Sequence, residues 1–123
     1  MSTELHYTKE HEWVKLEDGK AYVGVTDHAQ SLLGDIVFVD LPEVGCKVSR
    51  GDVLGTIESV KTVSDVFAPI SGTVVEVNTG LEDSPALVNS DPYASFLAVL
   101  EISDEAELND LLDEAQYLAL CKE

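Results

Sequence analysis

The chain has 123 residues, 45% of them apolar, and sets 24 acidic side chains against 7 basic ones for a formal charge of −17. That length supports one domain with its own core and leaves little for a second. The charge argues against DNA, RNA and anionic membranes as partners, each of which needs a basic footprint, and no apolar run reaches the roughly 18 residues that span a bilayer.

In chain order, the N-terminal stretch MSTELHYTKEHEW has neither a basic-then-apolar leader nor the Arg-rich character of a transit peptide. Beyond it, AYVGVT (21–26), DIVFVDL (35–41), VLGTIES (53–59), TVSDVFA (62–68) and GTVVEVN (72–78) read as short strands. Turn clusters such as Glu17-Asp18-Gly19, Arg50-Gly51-Asp52 and Pro69-Ile70-Ser71-Gly72 separate them, the spacing of an all-β sandwich or barrel. Between the first two runs, Asp27 and Gln30 form a capping pair for a helix over DHAQSLL, with Gly34 as its left-handed C-cap. A second helix is predicted over about 104–121, capped by Ser103 or Asp104, with Leu108, Leu111, Leu112 and Ala115 as its apolar stripe. GDIVF (34–38) and SDVF (64–67) echo one another and hint at two pseudo-symmetric sheets. Cys46 and Cys121 lack CxxC or metal-ligand spacing and read as reduced thiols.

The stretch ESVKTVSDV (58–66) joins two strand-like runs through Lys61, the only Lys or Arg between positions 51 and 121, whereas twelve acids occupy 62–121. Placing the few residues around Val60 and Lys61 in a hairpin turn puts this amine at a projecting tip. The ordinary reading is a lysine that blunts a turn. Solubility does not require it, because the acids already supply that.

Around Lys61, Glu58 three residues before, Gly55 six before and Gly72 eleven after match the lipoyl and biotinyl domain pattern, in which a hairpin lysine is acylated by a carboxylic-acid cofactor. Lysine suits this role because its amine forms an amide and its stem adds reach. The methionines that flank biotinyl lysines are absent, and Ser59-Val60-Lys61 differs from the Asp-Lys-Ala of 2-oxo-acid dehydrogenase lipoyl domains. With HEWV (11–14), VGVTDHAQ (23–30), LGDIVFVDLPEVG (33–45), ESVK (58–61), SDV (64–66), VNTGL (77–81) and VNSDPY (88–93), the chain resembles the glycine cleavage H-protein family over nearly its whole length.

The resemblance implies a mostly β barrel-sandwich hybrid of two small sheets, with a short internal helix and a C-terminal helix. It forms a single lipoyl-carrier domain over 1–123, its hairpin at about 53–68. It implies a non-enzymatic carrier with lipoic acid in amide linkage to Lys61, and Glu58, Ser59 and Val60 as the features read by a lipoate-attaching enzyme. The carrier would take the aminomethyl group of glycine from a pyridoxal-phosphate glycine decarboxylase (P protein) to an aminomethyltransferase (T protein), and pass electrons to dihydrolipoyl dehydrogenase (L protein). The alternative is an H-like carrier or lipoate relay serving another acceptor. The bacterial cytoplasm is the implied setting, or the mitochondrial matrix if a transit peptide has been removed. Glu12 and Asp65 are placed near a cleft for the protonated amine of the loaded arm, with Glu10 as an assisting or merely exposed acid. Each of the two alone would read as a solvated or turn-capping acid.

His6, His11 and His28 have no zinc-site spacing, so no metal site and no catalytic histidine are expected. Trp13 reads as core or cleft wall. One departure from the family lies at 94–102: Phe96 stands for a Trp, and Val99 and Glu101 stand where lysines are common. A strand with Phe96, Ala98, Leu100 and Ile102 on one face is still expected, with its fit to partners in question.

Overall fold

A computed structural model describes residues 5–17 and 19–121. The elements are β1 Leu5–Tyr7, β2 Glu12–Glu17, β3 Lys20–Val25, α1 Asp27–Leu33, β4 Ile36–Asp40, β5 Lys47–Val48, β6 Val53–Ser59, β7 Val63–Phe67, β8 Gly72–Val77, α2 Gly80–Asp83, α3 Leu87–Ser90, β9 Ala98–Ile102, a 3-10 helix Glu105–Asp110 and α4 Glu114–Cys121. The strands form an open six-stranded sheet in the order β1-β2-β3-β9-β8-β5 and a three-stranded sheet β4-β6-β7. This is the expected mostly β, two-sheet architecture, with neither sheet closed on itself. No helix among the described residues is long and apolar enough to cross a membrane.

Alternation along the strands sorts the core. Val14, Val23, Val74 and Leu100 of the larger sheet pack with Leu54, Ala68 and Ile70 in one buried cluster, while Val25, Ile36, Ile57, Val66 and Leu97 pack beneath α1 and α3 in another. Each buried Val, Leu or Ile contributes about 1.5–3 kcal/mol by leaving water, and the Ala68 methyl about 0.8 kcal/mol. Trp13 is fully buried, and its indole N–H donates to Pro92 O at 3.0 Å.

Two glycines of the lysine motif have a packing reason. A Cβ at Gly55 would lie 2.6 Å from the Asp40 backbone oxygen, and one at Gly72 would collide with the Glu101 backbone oxygen. Both stand where strands approach too closely for any side chain, and backbone on the far side has no room to yield.

Four expectations are corrected. The 104–121 helix is two pieces: Leu112 exchanges two 2.8 Å backbone hydrogen bonds with Tyr7, which takes it out of helical geometry. The chain restarts at a capping box in which Gln116 N–H donates to Asp113 Oδ1 at 2.8 Å and Asp113 N–H donates to Gln116 Oε1 at 3.0 Å. Ala115 is consequently exposed, and Tyr117 is the residue α4 buries. Second, α1 is capped one residue earlier, by Thr26 Oγ1 accepting from Ala29 N–H, while Asp27 bonds Gln30 on the surface; Gly34 ends the helix at φ 81°, ψ −155°, outside the left-handed helical region. Third, the echoing segments are not halves of two sheets, because β4 and β7 both flank β6 in one sheet. Fourth, β9 begins at Ala98 and Val99 is buried opposite Tyr22, whose ring meets Phe96 edge-on at 5.3 Å. A lysine at 99 would be buried, and Glu101 alone of that pair is exposed.

The two sheets are joined through Glu12, which lies on β2 and is 2% exposed. Its Oε2 accepts the Phe67 N–H of β7 at 2.6 Å and its Oε1 accepts the Thr8 hydroxyl at 3.1 Å. Thr8 Oγ1 in turn accepts the N–H groups of Glu10 and Glu12, both at 3.2 Å. Burial raises the Glu12 carboxyl from 4.5 to about 7, against the two hydrogen bonds that favour the anion.

Two outcomes follow from this packing. Gly72→Ala is expected to destabilise the fold by about 1–3 kcal/mol in urea titrations, since the new methyl meets backbone; an unchanged midpoint would mean the strands can separate there. For Glu12, the folded state keeps a proton that the unfolded chain has released between 4.5 and about 7. Stability should therefore fall as pH rises through that window, by on the order of 3 kcal/mol in total. Glu12→Gln should lack this fall, so its stability relative to wild type should improve from about pH 4.5 to about pH 8. Equal pH slopes in the two proteins would show that the carboxyl does not titrate there.

Candidate functional site

The hairpin that carries Lys61 is built by β6 and β7, which pair as far as Glu58 and Val63. Ser59 N–H then donates to Thr62 O at 2.8 Å and closes a four-residue turn. Ser59 Oγ accepts the N–H groups of Lys61 and Thr62 at 3.2 and 3.1 Å, so this buried hydroxyl shapes the turn from within. Val60 N–H donates to Asp35 O at 3.0 Å, which ties the tip to the segment following α1. Glu58, Val60 and Lys61 face solvent. Of the three residues taken as recognition features, Ser59 differs: it sets the turn's shape and presents little surface.

The Lys61 side chain lies over Gly34. A Cβ there would stand 3.1 Å from Lys61 Cε and 3.7 Å from Nζ, and a side chain would also be strained at φ 81°. Among the described residues, Lys61 makes no ion pair. Exposed apolar side chains surround this end of the small sheet: Leu32, Val37, Phe38, Val60 and Val63.

Beside Gly34, α1 and the hairpin enclose a cavity of about 170 Å³. Ala29, Leu32 and Leu33 form one wall, Ile57, Ser64, Asp65 and Val66 the other, and Glu10, His11 and Glu12 the end. The structure thus brings Glu12 and Asp65 into one cleft, with Glu12 buried and Asp65 and Glu10 exposed. A larger cavity of about 410 Å³ lies on the other side of Glu12, lined by Thr8, Lys9, Arg50, Phe67, Asp110 and Leu112 among others. It shares no residue with α1 or with the turn. The smaller cleft is the one bounded by the two elements that hold Lys61, and Asp65 is the acid found in it alone, since Glu10 and Glu12 line both cavities and Asp110 lines the larger.

Sequence reasoning missed three parts of this site. The Phe67 N–H that fixes Glu12 is a backbone group 55 residues away. The seat at Gly34 and the anchor at Asp35 O are likewise backbone features, invisible in residue types, although the glycine that ends α1 was itself legible.

The model of the family described as "Glycine cleavage H-protein" matches residues 5–123. The glycine cleavage system H protein of a Thermoanaerobacter species is 53% identical over 113 residues, 92% of this chain and 90% of that protein. That of Brevibacillus brevis is 55% identical over 120 residues, 97% of this chain and 95% of that protein. The crystal structure of a glycine cleavage system H protein from Mycobacterium marinum superposes with a TM-score of 0.85 at 42% identity and covers 97% of both chains. Similarity of this extent over sequence and fold shows that the chain belongs to the glycine cleavage H-protein family.

Proposed function

We propose that the chain is a lipoyl carrier acting in glycine cleavage, with lipoic acid in amide linkage to the Lys61 Nζ. The observation that carries this reading is the placement of Lys61: an amine without an ion partner among the described residues, on a braced turn, its stem seated on Gly34 at the side of a carboxylate-lined cleft. The residues fit the group. A Cβ at position 34 would fill the space along the stem, and the exposed apolar side chains nearby offer an acyl chain a surface to lie on. When bound, the lipoyl group supplies dithiol–disulfide chemistry and the reach by which the aminomethyl group of glycine passes from the decarboxylase to the aminomethyltransferase, and electrons to dihydrolipoyl dehydrogenase.

The chain itself is non-catalytic in this reading; it presents, shelters and releases. Ser59 and the Asp35 carbonyl fix the tip, so the lipoate-attaching enzyme reads a set shape flanked by Glu58 and Val60. In the cleft, Glu12 and Asp65 would hold the protonated amine of the cargo. A carboxylate and an ammonium 4 Å apart attract by about 4 kcal/mol at an effective dielectric near 20. That attraction favours ionised Glu12, so loading the cleft would draw a proton off a carboxyl that otherwise titrates at about 7. A net charge of −17 steers the carrier toward basic rims on its partners. The bacterial relatives make the cytoplasm the natural setting.

Attachment is tested by coexpression with a lipoate-attaching enzyme followed by intact-mass and peptide mapping. Wild type should gain one lipoyl group on Lys61 and then support glycine–bicarbonate exchange with the decarboxylase. Lys61→Arg should gain none, and a lipoyl group on that variant would overturn the assignment. Cargo retention is tested separately. The double variant Glu12→Gln, Asp65→Asn should still be lipoylated but lose ammonia and the methylene from the loaded form at least several-fold faster, as removal of an attraction of that size implies. An unchanged half-life would remove both residues from the site.

A further inference from the structure

We propose that His11, His28 and Cys121 form a binding site for one zinc ion, a feature independent of the lipoyl reading. One ring nitrogen of each histidine and the cysteine Sγ all lie within 4.8 Å of one another, and all three residues are half-buried. Zinc bound at about 2.0–2.1 Å to nitrogen and about 2.3 Å to sulfur needs its tetrahedral donors roughly 3.3–3.6 Å apart. The three must therefore close by about an ångström, which side-chain rotation supplies. Three ligands leave a fourth position for water or another donor.

The ligands come from three separate parts of the chain, and the fold positions each one. His11 ends the turn that begins at Thr8, and its N–H donates to Thr8 O at 3.1 Å while its carbonyl accepts Thr26 N–H at 3.0 Å. Its backbone sits at φ 66°, the only positive φ at a residue other than glycine among the described residues. Such a conformation costs about 1–3 kcal/mol and is kept where the side chain's placement matters. His28 projects from α1, and its ring is 4.6 Å from that of His11. Cys121 ends α4, one helical turn beyond Tyr117.

Tyr117 docks that helix. Its ring stacks on Tyr7 with centroids 4.6 Å apart, and its hydroxyl lies 2.6 Å from Thr26 Oγ1 and 2.8 Å from His11 Nδ1. With zinc on Nε2 of His11, Nδ1–H donates to the tyrosine oxygen, which donates to Thr26. This is the outer hydrogen bond that fixes the tautomer and orientation of a metal-binding imidazole. Two imidazoles and a thiolate select zinc-like ions and reject magnesium and calcium, which require oxygen donors. His6, on β1, and Cys46 take no part. A bound ion would pin the end of α4 to α1 and to His11, which also lines the arm cleft.

The test uses the full chain, free of lipoate and metal, titrated with cobalt(II) as a spectroscopic probe and then with zinc against a chromogenic chelator. One equivalent should bind, with a thiolate-to-cobalt charge-transfer band and tetrahedral d–d intensity, and zinc should displace the cobalt. Cys121→Ser should abolish the charge-transfer band. His28→Ala, with its fold checked by circular dichroism and thermal melting, should weaken affinity by at least about tenfold. Cys46→Ser should change neither. Zinc should also shield Cys121 but not Cys46 from alkylation, read by peptide mass. Binding that survives both Cys121→Ser and His28→Ala, a band lost with Cys46→Ser, or no stoichiometric uptake at micromolar zinc would overturn the site.

Discussion

A buried carboxyl joins the two sheets of this molecule, and the candidate site depends on that join. Glu12 leaves the six-stranded sheet to accept the Phe67 N–H of the three-stranded one, and its second oxygen is met by Thr8. Hydrogen bonds to a charged acceptor contribute about 1.5–3 kcal/mol each, yet burial of the anion offsets them, and here burial wins. The join therefore holds a proton near neutrality. The same carboxyl ends the cleft beside the hairpin, so what holds the sheets together also sets the charge presented to whatever enters.

The hairpin and α1 are similarly interdependent. Val60 bonds the Asp35 carbonyl, Lys61 rests on the glycine that ends α1, and the apolar face of α1 walls the cleft. Thr26, which caps that helix, shares its hydroxyl with Tyr117 of the C-terminal helix. A short chain of hydrogen bonds thus runs from His11 through Tyr117 and Thr26 to the first turn of α1. Elements distant in sequence converge on one wall of the cleft.

Much of this was legible in the residues, for physical reasons. Strands β4 and β6 to β8 announce themselves because Val and Ile recur between turn clusters, and Lys61 stands out because one cation is conspicuous among so many acids. Strands β1 and β5, three and two residues long, are too short for alternation to show. The break in the C-terminal helix was written as Asp113 and Gln116, but leucine periodicity across 108–112 masked it, and only pairing with Tyr7 decides between them. Glu12 could not be read as buried, because the donor that makes burial tolerable is a backbone amide. His11, His28 and Cys121 lack any ligand spacing, since three elements converge on them and proximity there is a property of the fold.

The bond from Val60 to the Asp35 carbonyl bears on recognition. A free hairpin tip samples many conformers, and an enzyme that binds it must spend part of the contact energy on freezing them, at about 1–2 kcal/mol per residue of backbone. Here that entropy is already lost on folding, so an enzyme acting on Lys61 in the proposed reading would meet a preorganised loop and the interface could stay small. Small, quickly released contacts would suit a carrier that, as proposed, visits several enzymes in turn, because none of them can afford to hold it.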